Sequence, residues 1–348
     1  MLALRWHGRG DVRLDEVEDP PPPGPGEVRL RVLSCGICGT DVEEYRSGPI
    51  FIPSGEPHPL TGRSAPITLG HEFSGEVVAV GAGVDRYRPG DRVAADTLVF
   101  CGECYWCKRH RVTLCERLGA LGLMADGGLA GLCNAPASTL LPLPAGVTDD
   151  AGALAETLAV AVRALRRGRL AVGESVAVVG AGAVGLMALQ AAKAGGASTV
   201  SVVEPLPERR NLAAALGAHE TLVPEEEPEI GADLVLECSG NVRAIGAAVG
   251  AARKGGRVVL VGVYGSPGTL DFMRLVGAEK ELLGSLSHVY DEDFAAALAL
   301  LGRGAVRAEP LVSDRVPLGR ALEDGLLALM REPEAHLKIL IQPGAEGP

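Results

Sequence analysis

Aromatic residues are scarce in this chain, at 3%, and lysine is scarcer still: Lys108, Lys193, Lys254, Lys280 and Lys338 stand against 28 arginines. That bias matches a GC-rich or heat-adapted genome and carries no function. Positive charge is in deficit, with a formal net charge of -11. Nucleic-acid binding needs a basic face to neutralise phosphates, so no nucleic-acid partner is expected. No stretch approaches ~18 uninterrupted apolar residues, so no membrane span is expected. The start, Met1 to Gly8, lacks a basic segment followed by an apolar core and does not read as a secretory signal. The expected location is the cytoplasm. Apolar residues and glycine are abundant, at 47% and 47 of 348. The first supports a sizeable buried core and the second many tight turns. At ~150 residues per domain, the length suggests two domains.

The eight cysteines do not suit a disulfide scaffold, because the chain is large and is read as cytosolic. Cys101, Cys104, Cys107 and Cys115 fall within fifteen residues. Four thiolates close a tetrahedral zinc shell and leave no open position, so this cluster predicts a structural zinc. A nucleic-acid zinc ribbon would share the spacing, but the acidic charge weighs against it.

Residues 1 to about 150 read as short strands separated by Gly and Pro, among them Val28 to Leu33 and Gly75 to Val80. Pro20 to Pro25 predicts a stiff, solvated connector. From Ala151 the texture changes. Ala151 to Leu170 predicts a helix. Strands at Val176–Val179, Thr199–Val203, Leu234–Cys238 and Val258–Val261 then alternate with helices, including one over Glu208–Leu216. Continuous apolar strands between helices predict a parallel sheet covered on both faces, an α/β architecture. The tail from Asp291 holds one more helix. It is expected to rejoin the first domain through Leu337 to Ile341, with Pro343 to Pro348 frayed.

Gly180-Ala-Gly182-Ala183-Val184-Gly185 fits GxGxxG, follows an apolar strand and opens an Ala-rich helix. The helix N-terminus offers free N–H groups to a pyrophosphate. Glu204 ends the next strand, where an acidic residue bonds a ribose 2′-hydroxyl and repels a 2′-phosphate, so NAD is favoured over NADP. Arg209 and Arg210 stand nearby as possible phosphate partners if Glu204 turned away. Gly262, after the Val258–Val261 strand, is a further cofactor candidate.

A catalytic zinc takes three protein ligands and one open position. Cys38, His71 and Glu156 are candidates. Taken singly, each has a plainer reading: Cys35 and Cys38 as a redox pair, His71 as a core histidine, Glu156 as a solvated helix residue.

The chain resembles the zinc-dependent medium-chain dehydrogenase/reductase family over nearly its whole length. The resemblance is carried by Gly70-His71-Glu72 with Gly75 and Gly81, the four-cysteine lobe and Gly180 to Gly185, in the family's order. Gly48 to Pro53, Pro57 to Gly62 and Ala65 to Gly75 resemble its butanediol-oxidising branch. The resemblance implies a GroES-like β-barrel catalytic domain (1–152 and 288–348) and a Rossmann doubly wound parallel-sheet domain (153–287). It implies a catalytic zinc on Cys38, His71 and Glu156, with Glu72 beside the metal, and a second zinc on the lobe. Thr40 is implied as first proton acceptor in hydride transfer from a diol or secondary alcohol to NAD. Where the family often carries a relay histidine this chain has Glu43, leaving the relay to Glu43, a water chain or another route. The implied substrate pair is 2,3-butanediol and acetoin. Alternatives are a polyol such as sorbitol or xylitol, another secondary alcohol, or a non-catalytic redox sensor switching on Cys35 and Cys38. The implied assembly is a homodimer or homotetramer, and substrate contacts are expected near Tyr45 and His58.

Overall fold

The computed structural model describes residues 1–224 and 230–344, so the expected fraying of Pro343 to Pro348 lies outside it from residue 345 on. The described chain forms two compact units. One comprises Met1–Glu156, Val289–Leu298 and the stretch from Val312. The other comprises Thr157–His288 and Ala299–Leu311.

The first unit is built on the ten-residue strand Glu27–Gly36. Val28, Leu30 and Val32 point inward and are fully buried, while Arg31 points outward and pairs with Glu76 at 2.7 Å. This period-two alternation is what a sheet with one wet face requires. Glu27–Gly36 pairs antiparallel with Glu72–Val80, Leu132–Pro136 and Ile339–Gln342. The C-terminal strand therefore does rejoin the first unit, with Leu340 opposite Gly36 and Ile341 opposite Cys35. Arg92–Ala95, Leu140–Pro142 and Asp314–Pro317 complete this sheet, and Leu2–Gly8, Asp11–Glu16 and Ile67–Thr68 form a second. Two of the few aromatics anchor this core. Trp6 and Phe73 are almost wholly buried among Leu4, Leu30, Ile67, Leu69 and Leu129. Each such side chain contributes about 2–3 kcal/mol through burial. The proline connector is tied down rather than free: Arg29 donates to the Pro20 and Pro21 carbonyls, and Asn134 Nδ2 donates to Pro21 at 2.9 Å.

The second unit holds six parallel strands in the spatial order Glu220–Leu222, Thr199–Val203, Ser175–Val179, Ala232–Glu237, Ala252–Leu260, Glu281–Gly284. Numbered along the sheet's own sequence this is 3-2-1-4-5-6, the doubly wound order whose switch point lies between the first and fourth strands. The two short outer strands had no clear sequence signature; only pairing to their neighbours makes them strands. The single helix expected over Ala151–Leu170 is instead two, Asp149–Ala153 and Ala155–Arg167. Thr148 caps the first through Ala151 N at 3.1 Å, and Gly152 weakens it before Leu154. The break puts Glu156 in the first turn of the second helix. Among the described residues, no helix is long and apolar enough to cross a membrane.

Candidate active site

Cys38 and His71 come from elements far apart in sequence. Cys38 ends the turn after strand Glu27–Gly36 and is the N-cap of helix Gly39–Ser47. His71 follows Gly70, whose φ of +95° favours glycine. A Cβ at Gly70 would meet Cys35 Sγ at 2.6 Å and Leu129 N at 2.8 Å, so the His71 backbone is seated tightly on the core. One donor atom each from Cys38, His71 and Glu72 lie within 4.8 Å of one another. Thr40 Oγ1 lies 3.7 Å from Cys38 Sγ. Glu156 is buried and acts electrostatically on both His71 and Lys338.

The site is suited to a cation. Burial by itself lowers the basicity of His71, but Asp41, Cys38 and Glu156 outweigh it and drive its pKa well above the usual value. His71 Nδ1 is buried without a hydrogen-bond partner and faces Asp41 Oδ1 at 3.6 Å. A carboxylate behind an imidazole is the arrangement that fixes a metal-ligating histidine. Soft sulfur, imidazole and carboxylate donors around one point are a zinc donor set.

Sequence reading missed two members of this group. Asp41 is fully buried. It accepts the Cys38 N–H on Oδ2 at 2.9 Å, so one carboxylate closes the helix cap and supports His71. Its signal was the acidic residue three positions after Cys38, a capping box with cysteine in the serine place. Lys338 is almost fully buried. Its Nζ donates to Glu72 at 2.7 and 2.9 Å and to the Ile37 carbonyl at 3.2 Å. A lone lysine opening the apolar strand Ile339–Gln342 was its signal.

The four lobe sulfurs also converge to within 4.8 Å. Cys101 Sγ lies 3.5 Å from Cys115 Sγ and 3.9 Å from Cys107 Sγ. Sulfurs at the corners of a zinc tetrahedron are about 3.8 Å apart, given Zn–S bonds of about 2.3 Å. Backbone N–H groups of Cys104 and Arg117 point at Cys101 and Cys115 sulfurs, each at 3.4 Å. Hydrogen bonds led by one from Glu103 lower the Cys101 thiol to about 6, while burial pushes Cys107 up to about 12.

In the second unit, Gly180 has φ +95° and a Cβ there would meet Ser239 at 2.9 Å. A Cβ on Gly185 would run into the Gly180 carbonyl oxygen. These two glycines are required by the turn and by packing. Gly182 is required by neither. Its φ is −69°, and no protein atom lies within 4 Å of its absent Cβ. The open space at Gly182 is the cradle a pyrophosphate would fill. Ala183 and Val184 begin helix Ala183–Ala194, whose N-terminus has no side-chain cap. Glu204 is buried and pinned: Oε2 accepts Ala181 N at 2.7 Å and Oε1 accepts Leu206 N at 3.0 Å. Its negative charge is therefore fixed at the end of its strand. Arg210 donates to the Glu204 and Pro205 carbonyls at 2.7 and 2.6 Å, and Arg209 lies one residue earlier on helix Pro207–Ala215. A Cβ on Gly262 would meet the Gly240 backbone at 2.5 Å.

Other candidates are engaged elsewhere. Glu43 is half-buried and lies 3.8 Å from Arg46. His58 is held by the backbone: its Nε2 lies 3.1 Å from the Leu118 carbonyl, and Leu60 and Thr61 N–H groups point to Nδ1 at 3.4 and 3.3 Å. Tyr45 packs against the first unit's core. Cys35 is fully buried and desolvation drives its thiol pKa well up, which leaves it inert as a redox switch.

The family model described as alcohol dehydrogenase GroES-like domain matches residues 24–145, and the one described as zinc-binding dehydrogenase matches 183–303. The chain is 36% identical to (R,R)-butanediol dehydrogenase of Bacillus subtilis, covering 99% of this chain and 100% of that one. It is 35% identical to human sorbitol dehydrogenase over 92% of this chain and 91% of that one. A crystal structure of 2R,3R-butanediol dehydrogenase from Bacillus subtilis superposes with a TM-score of 0.90 at 35% identity, covering 99% of each chain.

Proposed function

The chain belongs to the zinc-binding alcohol dehydrogenase family and is an oxidoreductase of small alcohols; from that premise we propose that it interconverts 2,3-butanediol and acetoin with NAD. The observation that carries the substrate is end-to-end similarity to a butanediol dehydrogenase at 36% identity. In this reading Cys38, His71 and Glu156 hold the catalytic zinc with Glu72 beside them, and Cys101, Cys104, Cys107 and Cys115 hold the structural one. The unit of 1–156, 289–298 and the stretch from 312 carries the zinc residues, and that of 157–288 with 299–311 the dinucleotide turn; the expected bounds, 1–152 with 288–348 and 153–287, shift accordingly, with Glu156 on the catalytic side and 299–311 on the dinucleotide side.

Zinc held there would supply Lewis acidity toward an alcohol oxygen, and NAD would serve as hydride acceptor as the carbinol becomes a carbonyl. Asp41 closes the Cys38 cap with one carboxylate oxygen and sets the other 3.6 Å from the His71 ring nitrogen. Thr40, beside Cys38, accepts the substrate hydroxyl proton at Oγ1 as it passes its own proton on toward solvent. Lys338 neutralises Glu72 and restrains its carboxylate. Gly182 and the uncapped helix behind it take the pyrophosphate, and the pinned Glu204 takes the ribose hydroxyl and repels a 2′-phosphate, so NAD is preferred to NADP. Glu43 remains a relay candidate only if it leaves Arg46.

A polyol substrate is the second reading, favoured by the 35% identity to sorbitol dehydrogenase. The test is kcat/KM for the three 2,3-butanediol stereoisomers against sorbitol and xylitol, using zinc-replete protein and NAD. A large preference for the 2R,3R isomer is expected; turnover confined to the polyols would overturn the substrate. The same reading takes the protein as a cytoplasmic homodimer or homotetramer. Supporting self-association, Phe272, Met273 and Val276 are about 70% exposed in the stretch leading to the sheet's edge strand Glu281–Gly284.

A further inference from the structure

Glu237 is fully buried, yet none of the steps above uses it. It is the last residue of strand Ala232–Glu237 and lies opposite Val179, one residue before Gly180. That is the switch point of the sheet. A buried carboxylate is costly unless donors surround it. Here Oε1 accepts Ser239 N at 2.9 Å and the Ser239 hydroxyl, and Oε2 accepts the Tyr264 hydroxyl. The Glu237 carbonyl accepts Val261 and Gly262 N–H at 2.9 and 3.2 Å. One residue thus ties together the loops that follow the fourth and fifth strands.

These loops are closely fitted. A Cβ on Gly180 would strike Ser239, one on Gly262 would strike Gly240, and one on Gly240 would lie 3.0 Å from the Val263 carbonyl oxygen. Any shift of the Tyr264 loop is therefore passed to residues 239–241 and to the edge of the Gly180 turn. In a 3-2-1-4-5-6 sheet the first three strands serve one mononucleotide and the last three the other. Gly182 and Glu204 lie on the first half. The Tyr264 loop crests the second.

We propose that the Tyr264 hydroxyl, latched to Glu237, is a positioning group for the nicotinamide half of the dinucleotide. The proposal rests on the NAD reading above. The latch is an O–H···O bond from the half-buried phenol to a fully buried carboxyl group, which gives it both strength and direction. Burial, reinforced by the bond to Glu237, raises the phenol's pKa well above its ordinary value, so it remains a donor throughout the neutral range. With the hydroxyl gone, Glu237 keeps both Ser239 donors, so the sheet end persists while the fifth-strand loop is released.

The test is calorimetric titration of zinc-replete wild-type, Tyr264→Phe and Tyr264→Leu proteins with NADH and with AMP, which engages only the adenosine half. Tyr264→Phe is expected to raise the NADH dissociation constant about tenfold and to leave that for AMP within about twofold, with zinc content unchanged and the melting temperature lowered by no more than a few degrees as Glu237 Oε2 loses its donor. Unchanged NADH affinity in Tyr264→Phe would overturn the latch. So would equal losses for NADH and AMP, which would mark a general loosening. Loss only in Tyr264→Leu would assign the effect to ring packing and also overturn it. A wild-type protein that binds neither ligand would remove the NAD reading itself, a result distinct from all of these.

Discussion

Asp41 shows how much one buried side chain settles. A single carboxylate caps the helix that carries Cys38 and faces the ring of His71. The Cys38 backbone is thereby fixed, and a carboxylate charge is set beside the His71 ring. Cys38→Ser removes the soft donor while leaving Asp41 and the cap in place. Zinc content is expected to fall from about two to about one per chain, with turnover lost and the lobe metal retained, as elemental analysis of the purified variant would read. A variant that kept both metals and its full rate would exclude Cys38 as a ligand. Glu204 makes the same point in the second unit. From sequence alone its carboxylate was free to turn away and leave Arg209 or Arg210 to a phosphate. Two backbone N–H groups remove that freedom, and Arg210 is occupied by backbone carbonyls.

At the scale of elements, Asp233 secures the start of the parallel sheet. Second in the fourth strand, it accepts the Ser175 N–H and hydroxyl at 2.9 and 2.7 Å from the first strand, and pairs with Arg253 of the fifth at 2.6 Å. The Ser175 N–H and Arg253 together depress its pKa to about 2 from 3.8. Because the folded value lies below the unfolded one, this stabilisation is complete above about pH 4 and is lost as pH falls through about 2. Solvent reaches the group, so its contribution is about 1 kcal/mol. Asp233→Asn is expected to lower the melting temperature at pH 7 by a few degrees and to narrow the gap from wild type at pH 3. An equal deficit at both values would show that charge is not the cause. Elements whose own periodicity was strong, such as Glu27–Gly36 and Ser175–Val179, were legible in the sequence. Glu220–Leu222 and Glu281–Gly284 were not, because a three- or four-residue strand exists only by virtue of its neighbour. The break near Leu154 was hidden by an Ala/Leu run that suits one long helix equally well.

At the scale of the molecule, the two compact units carry different ligands in the proposed reading, which makes their stabilities separable. A ligand that binds only the folded form stabilises it by about 2.7 kcal/mol at a hundredfold excess over its dissociation constant. NADH is expected to slow amide exchange chiefly within 157–288. Stripping zinc with a chelator is expected to speed exchange chiefly within 1–156, strongest at 101–117. Hydrogen-exchange mass spectrometry reads both. Protection by NADH confined to the first unit would contradict the placement of the dinucleotide.

The sequence determined by itself whatever depends on neighbours along the chain. The four-cysteine lobe, the Gly180–Gly185 turn and the alternation of Glu27–Gly36 are all short-range patterns, and spacing fixes their chemistry. Tertiary structure alone decided what depends on residues meeting across tens or hundreds of positions. It joined Lys338 to Glu72, set Asp41 behind His71, pinned Glu204 to the glycine turn and latched Tyr264 to Glu237. It also retired Cys35 by burying it and committed His58 to the backbone. Each of these is a question of which buried polar group finds which partner. A buried charge must be matched wherever the fold delivers a partner, and no local pattern records where that is.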